Sequence, residues 1–277
     1  MIKRILVPTD FSNCSINALR YAVQLAKKIR SEEILIMHAT VAGEAYDEEG
    51  VTLVSKKTAW ERKEEIKAGF ELIKKAVPEL QDINYTTRTQ HASLIDALIS
   101  LSISSNIDLI VMGTTGASGI DKVIYGTNAY TTIKECNCPV LVIPEKATFK
   151  HIKHIIMASD FKQMDEGALE PLKTLSQLFG STISIVHVDG DKKLANDKAE
   201  EAKKFERYFK NINHRYHFIE NDDVEKGLNE YIRKYNTDLL TLVPRKHPLY
   251  DQVFGGGDSK SIIFHTKIPL LAIPETL

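Results

Sequence analysis

The feature that most constrains this 277-residue chain is an internal repeat, because a sequence written twice must fold as two related units. Residues Asp108 to Glu145 align without a gap on Asp238 to Glu275, and 11 of the 38 aligned positions are identical, Asp108/Asp238, Gly126/Gly256, Pro139/Pro269 and Pro144/Pro274 among them. The starts of the copies also match, Ile5-Leu6-Val7-Pro8-Thr9-Asp10-Phe11 against Ile155-Ile156-Met157-Ala158-Ser159-Asp160-Phe161, and Ile36-Met37-His38 answers Ile185-Val186-His187. The boundary is expected near Ala147 to Lys150, giving units 1–147 and 148–277, each within the usual size of one hydrophobic core.

Within each copy short apolar runs alternate with amphipathic stretches, the pattern of βαβ units around a parallel sheet. Expected strands are Ile5 to Pro8, Ile34 to Ala39, Asn84 to Thr89, Leu109 to Met112 and Val140 to Ile143, then others near Ile155, Ile183, Tyr216, Leu239 and Leu270. Leu19, Ala22, Val23 and Ala26 recur at helical spacing, as do Ile66, Phe70, Ile73 and Val77. The acidic stretch Val41 to Ser55 has no clear period and is expected as a mobile loop or helix start, lying over a ligand or simply solvated.

Composition excludes several classes of function. With 36 basic and 37 acidic residues the chain has no global field that would draw it to nucleic acid or an anionic membrane. No run approaches the ~18 apolar residues of a membrane-spanning helix. The N-terminus lacks a signal-peptide pattern, and three cysteines do not make a disulfide framework, so a cytoplasmic location is expected. Metal sites are not expected. Cys136-Asn137-Cys138 has no matching second pair, and the pairs His151/His154 and His214/His217 point to opposite faces of extended segments. His38 and His187 occupy equivalent strand ends, which marks a position of the fold rather than a ligand.

The sharpest chemical signal is Gly113-x2-Gly116-x9-Gly126-Thr127, directly after the strand Leu109 to Met112. Glycines leaving a strand let backbone N–H groups approach an anion, and the N-terminus of a following helix adds unpaired donors and a positive dipole end. Glycines that merely shape the loop are the plainer reading. Asp10 lies just beyond the first strand; if strands one and four are neighbours, Asp10 and the glycine loop line one crevice at a topological switch. Asp10 then accepts a ribose hydroxyl or acts through a cation, or else it caps the helix beginning near Ser12. There is no Walker lysine and no nucleophile elbow, so at most slow ATP hydrolysis is expected.

V-P-T-D-F-S, D-L-I-V-M-G-T-T-G, the spaced G-T and P-V-L-V-I-P, in that order and register, resemble the universal stress protein family across nearly the whole chain. The resemblance implies two tandem doubly wound five-stranded sheets of order 3-2-1-4-5, related by a pseudo-twofold through paired last strands. It also implies bound ATP with Mg or Mn, with Pro8, Thr9 and Asp10 at adenine and ribose and Ala39 at the base. Met112, Gly113, Gly116, Gly126, Thr127 and Asn128 would hold the ribose-phosphate end, Asn128 departing from the family's usual small apolar residue. In the second copy Val243, Lys246 and Gly257 replace Gly113, Gly116 and Thr127, so ATP is expected in the first unit alone. The function so implied is a stress-response regulatory protein, with the second unit as built-in partner. A nucleotide-free scaffold binding other proteins is the alternative, and further self-association stays open.

Overall fold

A computed structural model describes residues 1–40, 44–46, 52–54, 59–114, 126–161, 165–189, 202–203, 205–244 and 267–275. Ten strands form one sheet, and the first five in chain order around the first copy are β1 (Arg4–Pro8), β2 (Glu33–Ala39), β5 (Tyr85–Gln90), β6 (Leu109–Gly113) and β7 (Val140–Ile143). The second copy supplies β8 (His154–Ala158), β9 (Thr182–Asp189), β10 (His214–Glu220), β11 (Leu239–Leu242) and β12 (Leu270–Ala272). The order across the sheet is β10-β9-β8-β11-β12-β7-β6-β1-β2-β5, which is 3-2-1-4-5 in each half. All pairs within a half are parallel, and β7 and β12 join the halves antiparallel.

Strand length and composition follow position in this sheet. The central strands are continuous apolar runs because both faces are covered, as in β6 and β7, where Leu109 to Met112 and Val140 to Ile143 are buried. The terminal strands β5, YTTRTQ, and β10, HRYHFIE, are polar and half exposed, as edges that must not recruit another chain tend to be.

One face is covered by α1 (Asn13–Ile29), α2 (Ala59–Ala76) and α5 (Glu170–Phe179), packed on Ile5, Val7, Leu109, Val111, Ile155 and Leu239. The other carries α3 (Leu94–Ser104), α4 (Thr127–Glu135) and α6 (Val224–Tyr235), packed on Leu6, Ile110, Ile156 and Leu240. Both apolar layers run through the two halves without a break. The α1 positions Leu19, Ala22, Val23 and Ala26 are all within 3% of complete burial. Ile73 and Val77 are buried likewise, whereas Ile66 and Phe70 are half-buried.

The stretch Val41 to Ser55 departs from expectation. Glu44–Tyr46 and Thr52–Val54 pair antiparallel as a short separate sheet, β3 and β4. Thr52-Leu53-Val54 is β-forming in composition, but the surrounding acids obscure its alternation. The remaining residues of that stretch lie outside the described ones.

The seam between the halves is self-complementary. Leu141 of β7 pairs with Leu271 of β12, and these are equivalent positions of the repeat; Val140 pairs with Ala272 and Val142 with Leu270. A pseudo-twofold therefore passes between the two leucines. On the α1 side the connecting segment is tied down: Asn17 Nδ2 donates to the carbonyls of Pro144 and Ala147 at 3.3 and 2.9 Å. The Phe149 ring packs edge-on against Tyr21 at 5.1 Å.

One titration of the second half follows from its packing. His217 of β10 lies 5.1 Å from the Tyr231 ring, and burial first, then the Arg215 charge, holds its pKa below the usual 6.5. The unfolded chain then binds a proton that the folded chain refuses. Stability associated with His217 is present above pH ~6.5 and is lost as pH falls toward the folded pKa. Urea unfolding between pH 7.5 and 5 is expected to show this slope in the wild type and a flatter one in His217→Phe, which keeps the aromatic contact. Equal slopes would remove His217 as the cause.

Candidate functional site

Strands β1 and β6 are parallel neighbours, Ile5 opposite Leu109 and Leu6 opposite Ile110. The chain leaves β1 toward β2 on one side and leaves β6 toward β7 on the other, so the crevice beyond their carboxyl ends is the topological switch of the first half. Thr9 and Asp10 leave β1, and Gly113 and Thr114 end β6, at the same end of these neighbouring strands.

The β1 loop is a network of short polar contacts. Thr9 donates its backbone N–H to the Met37 carbonyl at 2.8 Å, and its Oγ1 lies 3.0 Å from Ser15 Oγ and accepts from the Phe11 N–H. Asp10 is exposed, and its Oδ1 accepts from the Ser12 hydroxyl at 2.6 Å and the Ser12 N–H at 3.1 Å. The cap of α1 is Ser12, whose Oγ accepts from Ser15 N–H; Asp10 braces the cap rather than serving as it.

His38 Nδ1 donates to the Thr9 carbonyl at 2.8 Å, and His187 Nδ1 donates to the equivalent Ser159 carbonyl at the same distance. Because a carbonyl only accepts, the proton in each ring sits on Nδ1. These histidines are fold positions, joining the first strand of each half to the second.

Sequence reasoning missed the side chain between Asp10 and Ser12. Phe11 has φ 64° and Phe161 of the second half has φ 59°, a left-handed conformation that bulky residues rarely hold. Strain of this kind costs about 1–3 kcal/mol and persists where surrounding packing fixes it. The Phe11 ring stacks on His38 at 4.5 Å and meets Phe70 edge-on at 5.4 Å. It also fills the notch at Gly69, where any Cβ would fall 2.7 Å from the ring. The signal was the phenylalanine repeated after aspartate in both copies.

At the end of β6, Gly113 pairs with Ile143, and Thr114 N–H donates to the Ile143 carbonyl at 3.2 Å. A Cβ on Gly113 would lie 2.6 Å from Cys14 Sγ and 3.1 Å from the Cys14 carbonyl. Gly113 is thus also the glycine that lets the first turn of α1 cross β6, a packing role invisible in the loop pattern. Gly116 lies outside the described residues, as do Lys246, Gly256 and Gly257 of the second half.

Helix α4 begins at Gly126, which is left-handed at φ 60° and therefore suited to glycine, and no side chain caps it. Its first turn holds no acidic residue; Thr127 and Asn128 are exposed, and Ala129 is buried. By contrast α1, α3 and α6 start at Ser12, Ser93 and Asp223, each accepting from a backbone N–H of its own first turn. Among the described α-helices of the first half whose capping residue is described, α4 alone has no side-chain cap, and its positive end can take an anion. Pro8 and Met112 are buried at the ends of β1 and β6, and Ala39 is half-buried at the end of β2.

The cysteine and histidine pairs marked in the sequence make hydrogen bonds within the fold. Burial pushes the Cys138 thiol up to about 12, and its Sγ donates to the Ile107 carbonyl at 3.5 Å. His154 Nδ1 bonds the Tyr235 carbonyl and His214 Nε2 the Glu206 carboxylate. No described helix is long and apolar enough to cross a membrane.

Comparisons agree with this architecture. Two universal stress proteins of Methanocaldococcus jannaschii resemble the chain. One is 29% identical over 147 residues, covering 52% of this chain and 82% of the relative. The other is 27% identical over 161 residues, covering 53% and 97%. A universal stress protein of Archaeoglobus fulgidus known from its crystal structure superposes on 99% of both chains with a TM-score of 0.76 and 19% identity, a likeness of fold over both halves. The model of the universal stress protein family matches residues 1–144, more than half of the chain. The chain therefore belongs to the universal stress protein family.

Proposed function

We propose that the first unit, residues 1–147, holds ATP with a divalent cation in the crevice between β1 and β6, and that the second unit, 148–277, serves as its built-in partner. The observations that carry this reading are the N-terminus of α4 at Gly126, Thr127 and Asn128, which no side chain caps, on the helix that follows β6, and the parallel pairing of β6 with β1. Those donors and the glycines Gly113 and Gly116 suit a phosphate chain, Asp10 and the Thr9 backbone the ribose, and Ala39 the base. A cation would balance the phosphates. The family relationship supports nucleotide chemistry in general; the assignment to ATP and to one unit rests on these residues. In sequence, the second unit carries Asp258 at the position of Asn128, a carboxylate where an anion would have to sit.

Asn128→Asp separates binding from folding, because its two effects have opposite signs. A carboxylate in the first turn of α4 stabilises the helix by about 0.3–1 kcal/mol through the dipole, yet it repels phosphate. Isothermal titration with ATP-Mg is expected to show binding to the wild type and at least ~10-fold weaker binding to Asn128→Asp, with an unchanged or higher melting temperature. Equal affinity in both would overturn the site. Absence of heat with either, and no thermal shift in millimolar ATP-Mg, would favour a nucleotide-free scaffold.

A further inference from the structure

The pseudo-twofold produces two seams between α1 or α5 and the opposite half, and they are filled differently. The halves match side chain for side chain around them. Ser31 Oγ donates to the Ile2 carbonyl at 3.1 Å, and Ser181 Oγ to the Ile152 carbonyl at 2.6 Å. Asp108 Oδ2 accepts from Lys3 and Arg4 N–H at 2.7 and 2.9 Å, and Asp238 Oδ2 from Lys153 and His154 N–H at 2.8 and 3.0 Å. Arg30 and Gly180 end α1 and α5 in the same left-handed conformation. This correspondence puts Pro171 of α5 opposite Tyr21 of α1.

In one seam Tyr21 is 3% exposed and the Phe149 ring lies against it. Burial, and next the Asp238 charge, raise the pKa of its hydroxyl, so the phenol is neutral. In the other seam Pro171 stands instead, and a cleft of about 280 Å³ remains, lined by Ile2, Ile107, Asp108, Cys138, Pro171 and Thr174 among others. Residues of both halves line the cleft, Ile2, Ile107 and Pro171 on its apolar side and Asn137 and Glu170 on its polar side, with the Asp108 carboxylate at the place equivalent to Asp238.

We infer that this cleft binds a single aromatic ring bearing a hydrogen-bond donor, the phenol that Tyr21 supplies to the twin seam, with its hydroxyl toward Asp108. A volume of this size accepts one ring and little more, at the small end of ligand pockets. Ile2, Ile107 and Pro171 supply apolar contact to the ring, and the carboxylate oxygen supplies selectivity for a donor over a plain hydrocarbon. The ring can arrive as a free small phenol or as a tyrosine side chain, so both are tested.

The probes are p-cresol, N-acetyl-tyrosinamide and toluene, titrated into the full chain while methyl NMR signals of Ile2, Ile107 and Thr174 are followed. p-Cresol is expected to shift these signals saturably with Kd on the order of 1 mM, and toluene at least ~5-fold more weakly. Binding of N-acetyl-tyrosinamide as well would identify a tyrosine side chain as an accepted source; binding of p-cresol alone would identify free phenols. Pro171→Tyr, which copies the filled seam, is expected to abolish the p-cresol response and raise the melting temperature, while Pro171→Ala retains the response. Thr174→Phe fills the cleft from the next helical turn should Pro171→Tyr fail to fold. No saturable shift, an equal response to toluene, or undiminished binding in the filled variants would overturn the inference.

Discussion

Leu141→Ala and Leu271→Ala are each expected to lower the stability of the whole chain by about 2–5 kcal/mol, and the double variant by less than the sum. Both side chains are at most 2% exposed and face each other across the antiparallel β7–β12 pair. They also belong to the single apolar layer shared by α1 and α5. Removing one leaves a cavity at the pseudo-twofold; removing the second enlarges a cavity already formed, so a coupling of about 0.5–3 kcal/mol is expected. Because the layer is continuous, unfolding by denaturant should remain one transition in the wild type. Additivity within ~0.5 kcal/mol, or two separate transitions with Leu141→Ala affecting only one, would show that the halves are energetically independent.

Gly113→Ala should be the most damaging small substitution near the site, although alanine normally stabilises relative to glycine. The added Cβ would collide with Cys14 Sγ at 2.6 Å and approach the Cys14 carbonyl to 3.1 Å, so α1 must shift away from β6. Overpacking of this kind costs about 1–3 kcal/mol, and Gly113→Val should cost more. The rescue is specific: Cys14→Ala removes the nearer clash, so Gly113→Ala/Cys14→Ala should recover part of the loss in thermal unfolding. A double variant that is no better than Gly113→Ala would assign the damage to the backbone contact alone. An unperturbed Gly113→Ala would show that α1 yields freely there.

Thr9, Asp10 and Gly126 were legible as candidates because polar and glycine residues stood at element ends where packing alone does not ask for them. The roles of Phe11, Gly69 and Cys14 were not legible, since each depends on a partner 27 or more residues away in the chain. Likewise the packing role of Gly113 was not legible, because a motif carries no information about which helix crosses above it. Asp108 and Asp238 were visible as identities of the repeat, but only the structure gave the reason, a carboxylate holding two backbone N–H groups at the start of each first strand. The hairpin Glu44–Tyr46 with Thr52–Val54 was missed because two three-residue strands are too short to establish a period.

By itself the sequence determined the duplication, the α/β class, the five strands of each half and their alternation with helices, because apolar periodicity is a local property written in consecutive residues. It also marked the glycine loop and its loss in the second copy. Tertiary structure decided what depends on approach between distant segments: that β1 and β6 are neighbours, that Leu141 meets Leu271, and that Gly113 must admit Cys14. It decided, too, that one seam is filled by Tyr21 while the other is left open at Pro171. Close packing responds to volumes and distances between residues far apart in the chain, and no pattern along the chain records those.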